Sequence, residues 1–145
     1  MKHLATRFIL PTAIISFAAV TKWWYVLPVD ARQTFYWGFP LAFMGEGWQT
    51  SGSLQFFVLE GLIDLVVHFF LWTLLAYAFV RSFKVKKIPL LVSGTLWSIS
   101  FLLIIVGSIV VSISYPSITL RRGYEWTIID SGYQFIWQGT PRSEQ

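Results

Sequence analysis

Three ionisable side chains, Glu60, Asp64 and His68, lie inside an apolar run from Leu54 to Val80. A helix turns about 100° per residue, so a spacing of four residues keeps all three within about 80° of its circumference. Two carboxyls and an imidazole on one face can pass a proton from one to the next, or bind a cation. We therefore take Glu60, Asp64 and His68 as candidates for a proton or ion path.

The same three residues also have a structural interpretation, which we favour over the path. A charged side chain at the centre of a bilayer costs about 2.5–3.5 kcal/mol on insertion scales, so it must be neutralised, paired or hydrated. Glu60 would then lie near the membrane surface, while Asp64 and His68 would hydrogen bond to serines, backbone or tryptophans of neighbouring helices. Glu60 and His68 are about 12 Å apart along the helix axis, which disfavours a metal site. We expect no metal and no cofactor.

The composition indicates a membrane protein. Of the 145 residues, 55% are hydrophobic and only 12% are charged, against about 25% charged in soluble domains. The net charge of +4 does not indicate nucleic-acid binding, because arginine and lysine mostly flank apolar runs, where they act as topology signals. The absence of cysteine excludes disulfides, thiol redox chemistry and cysteine-based metal sites.

The apolar runs predict the fold class, an all-α membrane protein with three transmembrane helices in a single domain, since about 20 apolar residues suffice to cross a bilayer. The helices are expected at about 8–28, 54–80 and 88–115 of the 1–145 domain. An outer loop, 29–53, and an outer tail, 116–145, complete the chain. Ser53 is a candidate N-cap for the second helix.

The first helix has an alternative interpretation as a cleaved signal peptide. Lys2 and Arg7, the apolar residues that follow, and Ser16-Phe17-Ala18 imitate the three regions of such a peptide. The aromatic residues after Lys22, by contrast, are typical of the headgroup layer at the end of a spanning helix. We therefore expect the segment to be retained.

The outer loop and the tail are aromatic, and we expect them to form a cap. Gly38 and Pro40 oppose a regular helix through Phe35–Met44, and this run is too short to span, which indicates an interfacial or re-entrant segment. In the tail, Asp130-Ser131-Gly132 separates two β-prone runs and predicts a short hairpin. The two runs are Glu125–Ile129 and Tyr133–Trp137. Candidates for contact with a partner on this outer side of the membrane are Trp37, Phe39, Pro40, Trp126 and Trp137.

Small residues four apart in the third helix mark a candidate packing face. They are Gly94, Ser98, Ser108 and Ser112. Such residues allow two helices to approach closely in lipid. The alternative is that they face lipid, with their hydroxyls bonded to backbone carbonyls.

The basic residues predict the orientation of the chain. Four positive charges within 81–87, together with Lys2 and Arg7, would lie in the cytoplasm, because a dense short loop outweighs charges spread along longer segments. This places the N-terminus inside and the C-terminus outside. The basic residues of the outer side are Lys22, Arg32, Arg121, Arg122 and Arg142.

Few features favour catalysis. The chain lacks a Gly-x-Ser-x-Gly elbow and a His-Glu-x-x-His zinc motif. An enzyme acting on lipid or envelope precursors is a third functional option, with Glu46, Glu125 and Asp130 as candidate carboxylates. Solvated loop acids are the favoured interpretation of these residues, so an enzyme is disfavoured.

The chain carries Trp37-Gly38-Phe39-Pro40-Leu41, then Ser53, Leu62-Ile63-Asp64-Leu65 and Trp72. These segments resemble a loose group of small uncharacterised bacterial inner-membrane proteins that pair a Gly-Phe-Pro loop with an Asp-bearing transmembrane helix. The resemblance covers residues 37–72. It implies a bacterial cytoplasmic-membrane setting and carries no activity with it.

Three helices enclose little volume for a ligand path, so the sequence favours association as the function. We expect a small accessory or structural subunit that packs against itself or against a larger membrane complex. The alternative is a proton- or cation-linked transporter or channel component that uses Glu60, Asp64 and His68.

Overall fold

The computed structural model describes residues 4–29, 32–47, 52–83 and 88–135. Within these ranges the chain forms three helices and a six-stranded mixed sheet. The prediction of an all-α protein with three spans is therefore wrong. Of the described helices, only two are long and apolar enough to cross a membrane.

The two long helices follow the apolar runs closely. Helix α1 is short, Leu10–Ala19, and is preceded by a π-helical turn over Ala5–Ile9. Helix α2 covers Val58–Phe83 and helix α3 covers Leu90–Ile113. At about 1.5 Å per residue, α2 and α3 are about 39 and 36 Å long, which exceeds the hydrocarbon thickness of about 30 Å.

The six strands form one sheet in which sequence neighbours mostly pair. The strands are β1 (Val20–Pro28), β2 (Thr34–Trp37), β3 (Met44–Glu46), β4 (Leu54–Phe57), β5 (Ser117–Thr119) and β6 (Trp126–Phe135). Their order across the sheet is β5-β4-β3-β2-β1-β6. All neighbouring strands are antiparallel except β4 and β5, which are parallel.

The first predicted helix, 8–28, is wrong in its second half. The helix ends at Ala19, and the residues from Val20 to Pro28 form β1. This segment is rich in β-branched and aromatic residues, which pack well on a pleated sheet. Successive side chains of a strand point to opposite faces of the sheet. Trp24 therefore shares one face with its partner Tyr36, and Trp23 shares the other face with its partner Trp37.

The predicted outer loop, 29–53, is also corrected. The run Phe35–Met44 is not a re-entrant segment, because its ends belong to the antiparallel strands β2 and β3. Gly38 lies between them with φ +148°, a conformation that glycine adopts without steric cost. Ser53 precedes β4 and not a helix, because α2 begins at Val58.

The hairpin predicted in the tail is wrong as well. Strand β6 runs without a turn through Asp130-Ser131-Gly132 and pairs with β1 along its whole length. The pairing register between β1 and β6 shifts between Tyr25 and Val26. Gly132 is required for space: a Cβ there would lie 2.8 Å from the Trp23 ring.

One face of the sheet, which we call the inner face, carries the core. The buried residues Val26, Tyr36, Ala42 and Phe57 form this cluster, and Tyr124 packs against it. Since β5 and β6 are the opposite edge strands, the connection between them crosses the sheet. Tyr124 belongs to that connection, and its hydroxyl lies 2.7 Å from that of Tyr36 and donates to Gln55 at 2.9 Å. Burial, followed by the hydrogen bond with Tyr36, raises the pKa of Tyr124 above its ordinary value.

The short helix α1 joins the two long helices. The Trp72 indole N–H of α2 donates to the Ser16 hydroxyl at 2.8 Å. From α3, the buried Ser100 hydroxyl donates to the Pro11 carbonyl at 3.0 Å, and the Trp97 indole N–H donates to the Thr6 carbonyl, in the turn before α1, at 2.9 Å. Most of the surface of α2 and α3 stays exposed: 17% of the apolar window of α2 and 6% of that of α3 is buried.

Candidate functional site

Asp64 fastens the connection between β2 and β3 to helix α2. Its side chain is fully buried, 0% exposed, and Oδ1 accepts a hydrogen bond from the Leu41 backbone N–H at 2.9 Å. The other oxygen, Oδ2, is buried and has no hydrogen-bond partner among the described residues. A carboxylate that accepts a backbone N–H makes a charge-assisted bond, which is stronger than a neutral one.

Glu60, one turn earlier, holds a different segment. Its Oε1 accepts the Arg122 backbone N–H at 3.3 Å, which ties the connection between β5 and β6 to the first turn of α2. Its Oε2 is buried and without a hydrogen-bond partner within the described ranges. Leu59 adds a second tie, because its backbone N–H donates to the Leu120 carbonyl at 3.0 Å.

His68, one turn later, is enclosed by aromatic rings. Its Nδ1 lies 2.8 Å from the backbone oxygen of Asp64, so this bond stays inside α2. The ring meets Phe17 of α1 and Phe39 edge to face, with centroids 5.8 and 6.1 Å away. His68 therefore forms the contact layer between α1, α2 and the connection after β2.

The polar face of α2 consequently makes three separate attachments. In the described part of the chain, no hydrogen bond or ion pair joins the side chains of Glu60, Asp64 and His68 to one another, and the only bond between these residues runs from the His68 ring to the Asp64 backbone oxygen. Glu60 contacts the connection between β5 and β6, whereas Asp64 and His68 both contact the connection between β2 and β3. Together the three residues hold the sheet end of the molecule on α2. The proton or ion path stays a prediction. No cluster of three or more metal-binding side chains occurs among the described residues.

The second face of the sheet, which we call the outer face, is the feature that sequence reasoning missed. Registered pairs place one apolar side chain per strand in a row from β5 to β1: Ile118, Phe56, Met44, Trp37 and Trp23. Next to this row, Tyr25 and Phe35 stack with centroids 4.7 Å apart. The only sequence signal for this face is the strand-like alternation of side chains within Trp23–Val26. This alternation does not show which side chains share a face until the neighbouring strands are known.

The predicted cap residues divide between the two faces. Trp37 lies in the outer row. Phe39 packs on His68 and on Tyr133. Trp126 packs on Tyr36 at 4.6 Å and therefore belongs to the inner face. Pro40 is half-buried and Trp137 lies outside the described residues.

The candidate packing residues of α3 lie on an exposed surface. All four are exposed: Gly94, Ser98, Ser108 and Ser112. The Ser98 and Ser112 hydroxyls donate to the backbone oxygens four residues earlier, at 3.0 and 2.8 Å. A Cβ on Gly94 would meet nothing within 4 Å. Among the described residues, none packs closely against Gly94 of this face.

The three candidate carboxylates are dispersed. Asp130 pairs with Tyr25 in β1, and Glu46 is in β3, three strand positions away and hence about 14 Å. Glu125 lies in the connection before β6. Paired carboxylates in glycosidases are about 5–9.5 Å apart, so Asp130 and Glu46 are too distant for that arrangement.

Comparison with protein-family models, with curated proteins and with solved structures gives no match to this chain. The resemblance to small bacterial inner-membrane proteins therefore stays a prediction.

Proposed function

We propose that this chain is an integral membrane protein that acts as an accessory subunit. In this proposal α2 and α3 cross the bilayer and the sheet lies at one end of them. Both helices have the required length and hydropathy. The sheet lies at the N-terminal end of α2 and at the C-terminal end of α3, so the other two helix ends lie on the opposite side. The basic residues within 81–87 of the sequence favour the cytoplasm for those two ends, and the outer side of the membrane for the sheet.

The observation that carries the association function is the apolar outer face. Its rings and aliphatic side chains, from Trp23 and Trp37 to Ile118, are only partly buried, and Ile118 is 63% exposed. The ring contacts described for Trp23 and Phe35 are with each other and with Tyr25, all within the sheet. Contiguous exposed apolar surface of this kind is typical of protein contact sites, and aromatic residues are enriched there. We infer that a second membrane-protein subunit, or a second copy of the chain, binds this face.

The test is purification of the full chain in mild detergent, followed by mass spectrometry of co-purifying proteins and light scattering for oligomeric state. We expect a defined partner or a defined oligomer. The variant Phe35→Gln should weaken this association, because it places an amide among apolar side chains. A monomer without a partner would contradict the proposal.

The matched control is Val29→Gln. Val29 is 74% exposed but follows β1 in a turn and is not one of the registered strand residues that define the outer face. If both variants lose the partner equally, general surface apolarity and not this face would be responsible. Thermal unfolding of both variants must remain that of the wild-type chain for the comparison to hold.

A second candidate function, proton or cation conduction, is favoured by one observation. The Oδ2 of Asp64 is buried without a partner among the described residues, and such a group can take up and release a proton. Liposomes containing the chain and a pH-sensitive dye test this function. Flux that Asp64→Asn abolishes would support it, and the absence of flux from the wild-type chain would remove it.

A further inference from the structure

A cleft of about 650 Å³ lies where α2 leaves the sheet. Its walls are the first turns of α2 and the connection between β5 and β6. The charged lining residues are Glu60, Arg121, Arg122 and Glu125, and Leu59 and Ile63 contribute apolar walls. This position, at the end of a candidate membrane span, is where lipid headgroups would lie.

The cleft carries charges of both signs that do not neutralise one another. Arg121 and Glu125 are exposed and make no hydrogen bond or ion pair with another described residue. The Arg122 guanidinium instead lies 3.8 Å above the Trp126 ring. Glu60 accepts only a backbone N–H and keeps Oε2 unpartnered in the described part of the chain. Two cationic and two anionic groups around one opening suit a ligand with both a negative and a positive group.

An apolar stripe continues from the cleft along α2. Leu59, Ile63, Val66 and Phe70 follow one another at helical spacing, and all are between 39 and 62% exposed. At about 100° per residue they stay within about 60° of one another. A hydrocarbon chain attached to a group in the cleft would therefore have a continuous surface to follow.

We propose that this cleft binds the headgroup of an aminophospholipid, a phosphodiester that bears a primary ammonium group. Arg121 contacts the phosphodiester, since guanidinium donors match phosphate oxygens in a bidentate manner. The exposed Glu125 carboxylate accepts from the ammonium, Glu60 lines the cleft beside it, and the acyl chain lies on the stripe. This inference rests on the proposed insertion of α2 in a bilayer and is independent of partner binding.

The chemistry distinguishes between lipids. A primary ammonium has N–H donors for the Glu125 carboxylate, whereas the trimethylammonium of phosphatidylcholine has none. Phosphatidylglycerol retains the phosphodiester but lacks the positive group. Phosphatidylethanolamine should therefore bind more tightly than either of these lipids.

The experiment is native mass spectrometry of the full chain, equilibrated in mixed micelles that contain equal amounts of the three phospholipids. We expect one phosphatidylethanolamine to be retained in preference to the others. Arg121→Gln should reduce its retention about tenfold, the effect of losing one charge-assisted hydrogen bond of about 1.4 kcal/mol. Glu125→Gln should remove the preference over phosphatidylglycerol. Arg81→Gln, at the opposite end of α2, is the matched control and should change nothing.

Three outcomes would overturn the inference: equal retention of all three lipids, unchanged retention by Arg121→Gln, or displacement of the lipid by equimolar soluble glycerophosphoethanolamine. The last outcome would assign the cleft to a free phosphodiester. Melting temperatures of the variants exclude misfolding as the cause. Cell fractionation distinguishes failure of this inference from failure of the proposed function. A chain that is absent from membranes would contradict the proposed function, whereas a membrane-bound chain without lipid preference would contradict only this inference.

Discussion

Helices α2 and α3 have similar lengths and both are apolar, yet they are connected to the rest of the molecule in different ways. Helix α2 carries Glu60, Asp64 and His68, and these residues meet the connections of the sheet and an aromatic cluster. Helix α3 has no charged residue and is held through Ser100 and Trp97 to the segment around α1. Ionisable groups in an apolar helix can thus attach a sheet to it, whereas hydroxyls and indoles suffice for contact between helices.

Replacing the buried carboxylate of α2 should have the largest effect. Asp64→Leu removes the acceptor of the Leu41 N–H and leaves that donor unsatisfied, so we expect a loss of about 2–3 kcal/mol in the free energy of unfolding. Thermal and denaturant unfolding in detergent would measure it. Asp64→Asn keeps an oxygen acceptor in place and should cost clearly less. If Asp64→Leu were as stable as the wild-type chain, the attachment role of Asp64 would be wrong.

The connection that Glu60 holds should be next in sensitivity. Tyr124→Phe removes the hydroxyl bonded to Tyr36 and Gln55, with an expected cost of about 1–2 kcal/mol. Because burial raises the pKa of Tyr124 above its ordinary value of 10.0, the folded chain binds this proton more tightly than the unfolded chain. The corresponding stability is present below pH 10 and falls as the pH rises above it.

Unfolding measured at several pH values between neutrality and strongly alkaline conditions would test the pH dependence. The wild-type chain should lose more stability in the alkaline range than Tyr124→Phe does. Parallel curves for the two proteins would contradict a role for this hydroxyl. Tyr115→Phe, which changes an exposed tyrosine, serves as the control.

The contact between α1 and α3 should contribute less to the free energy of unfolding than the contacts of Asp64 or of Tyr124. Ser100→Ala removes the hydroxyl that donates to the Pro11 carbonyl, and hydrogen bonds between membrane helices are worth about 0.6 kcal/mol on average. The same unfolding measurement in detergent applies. A cost as large as that of Asp64→Leu would remove the distinction drawn between α2 and α3.

The smallest effect is expected on the exposed face of α3. Gly94→Ala adds a methyl group where nothing lies within 4 Å, and alanine is the better helix former, so the substitution should not destabilise the isolated chain. Gly94→Leu should reduce association in detergent if this face packs against a second molecule. If Gly94→Leu associates as the wild-type chain does, the exposed face of α3 is not a contact surface, and the outer face of the sheet is the remaining candidate.

The central parts of both long helices could be predicted from sequence, and so could the shared face of Glu60, Asp64 and His68. A continuous apolar run of such length satisfies its backbone polar groups locally when it is helical, so no distant partner is needed. The start of α2 was misplaced by four residues, because Leu54–Phe57 is as apolar as the helix that follows. Apolarity alone does not distinguish a short strand from a helix turn.

The sheet was decided by tertiary structure. Strand β1 pairs with β6, about a hundred residues further along the chain, and no local pattern in either segment specifies that partner. The outer row from Ile118 to Trp23 and the N–H of Leu41 opposite Asp64 depend on the same long-range pairing. Helical hydrogen bonds are local and can be inferred from one segment, whereas a strand completes its hydrogen bonds only with another strand, and the fold alone determines which strand that is.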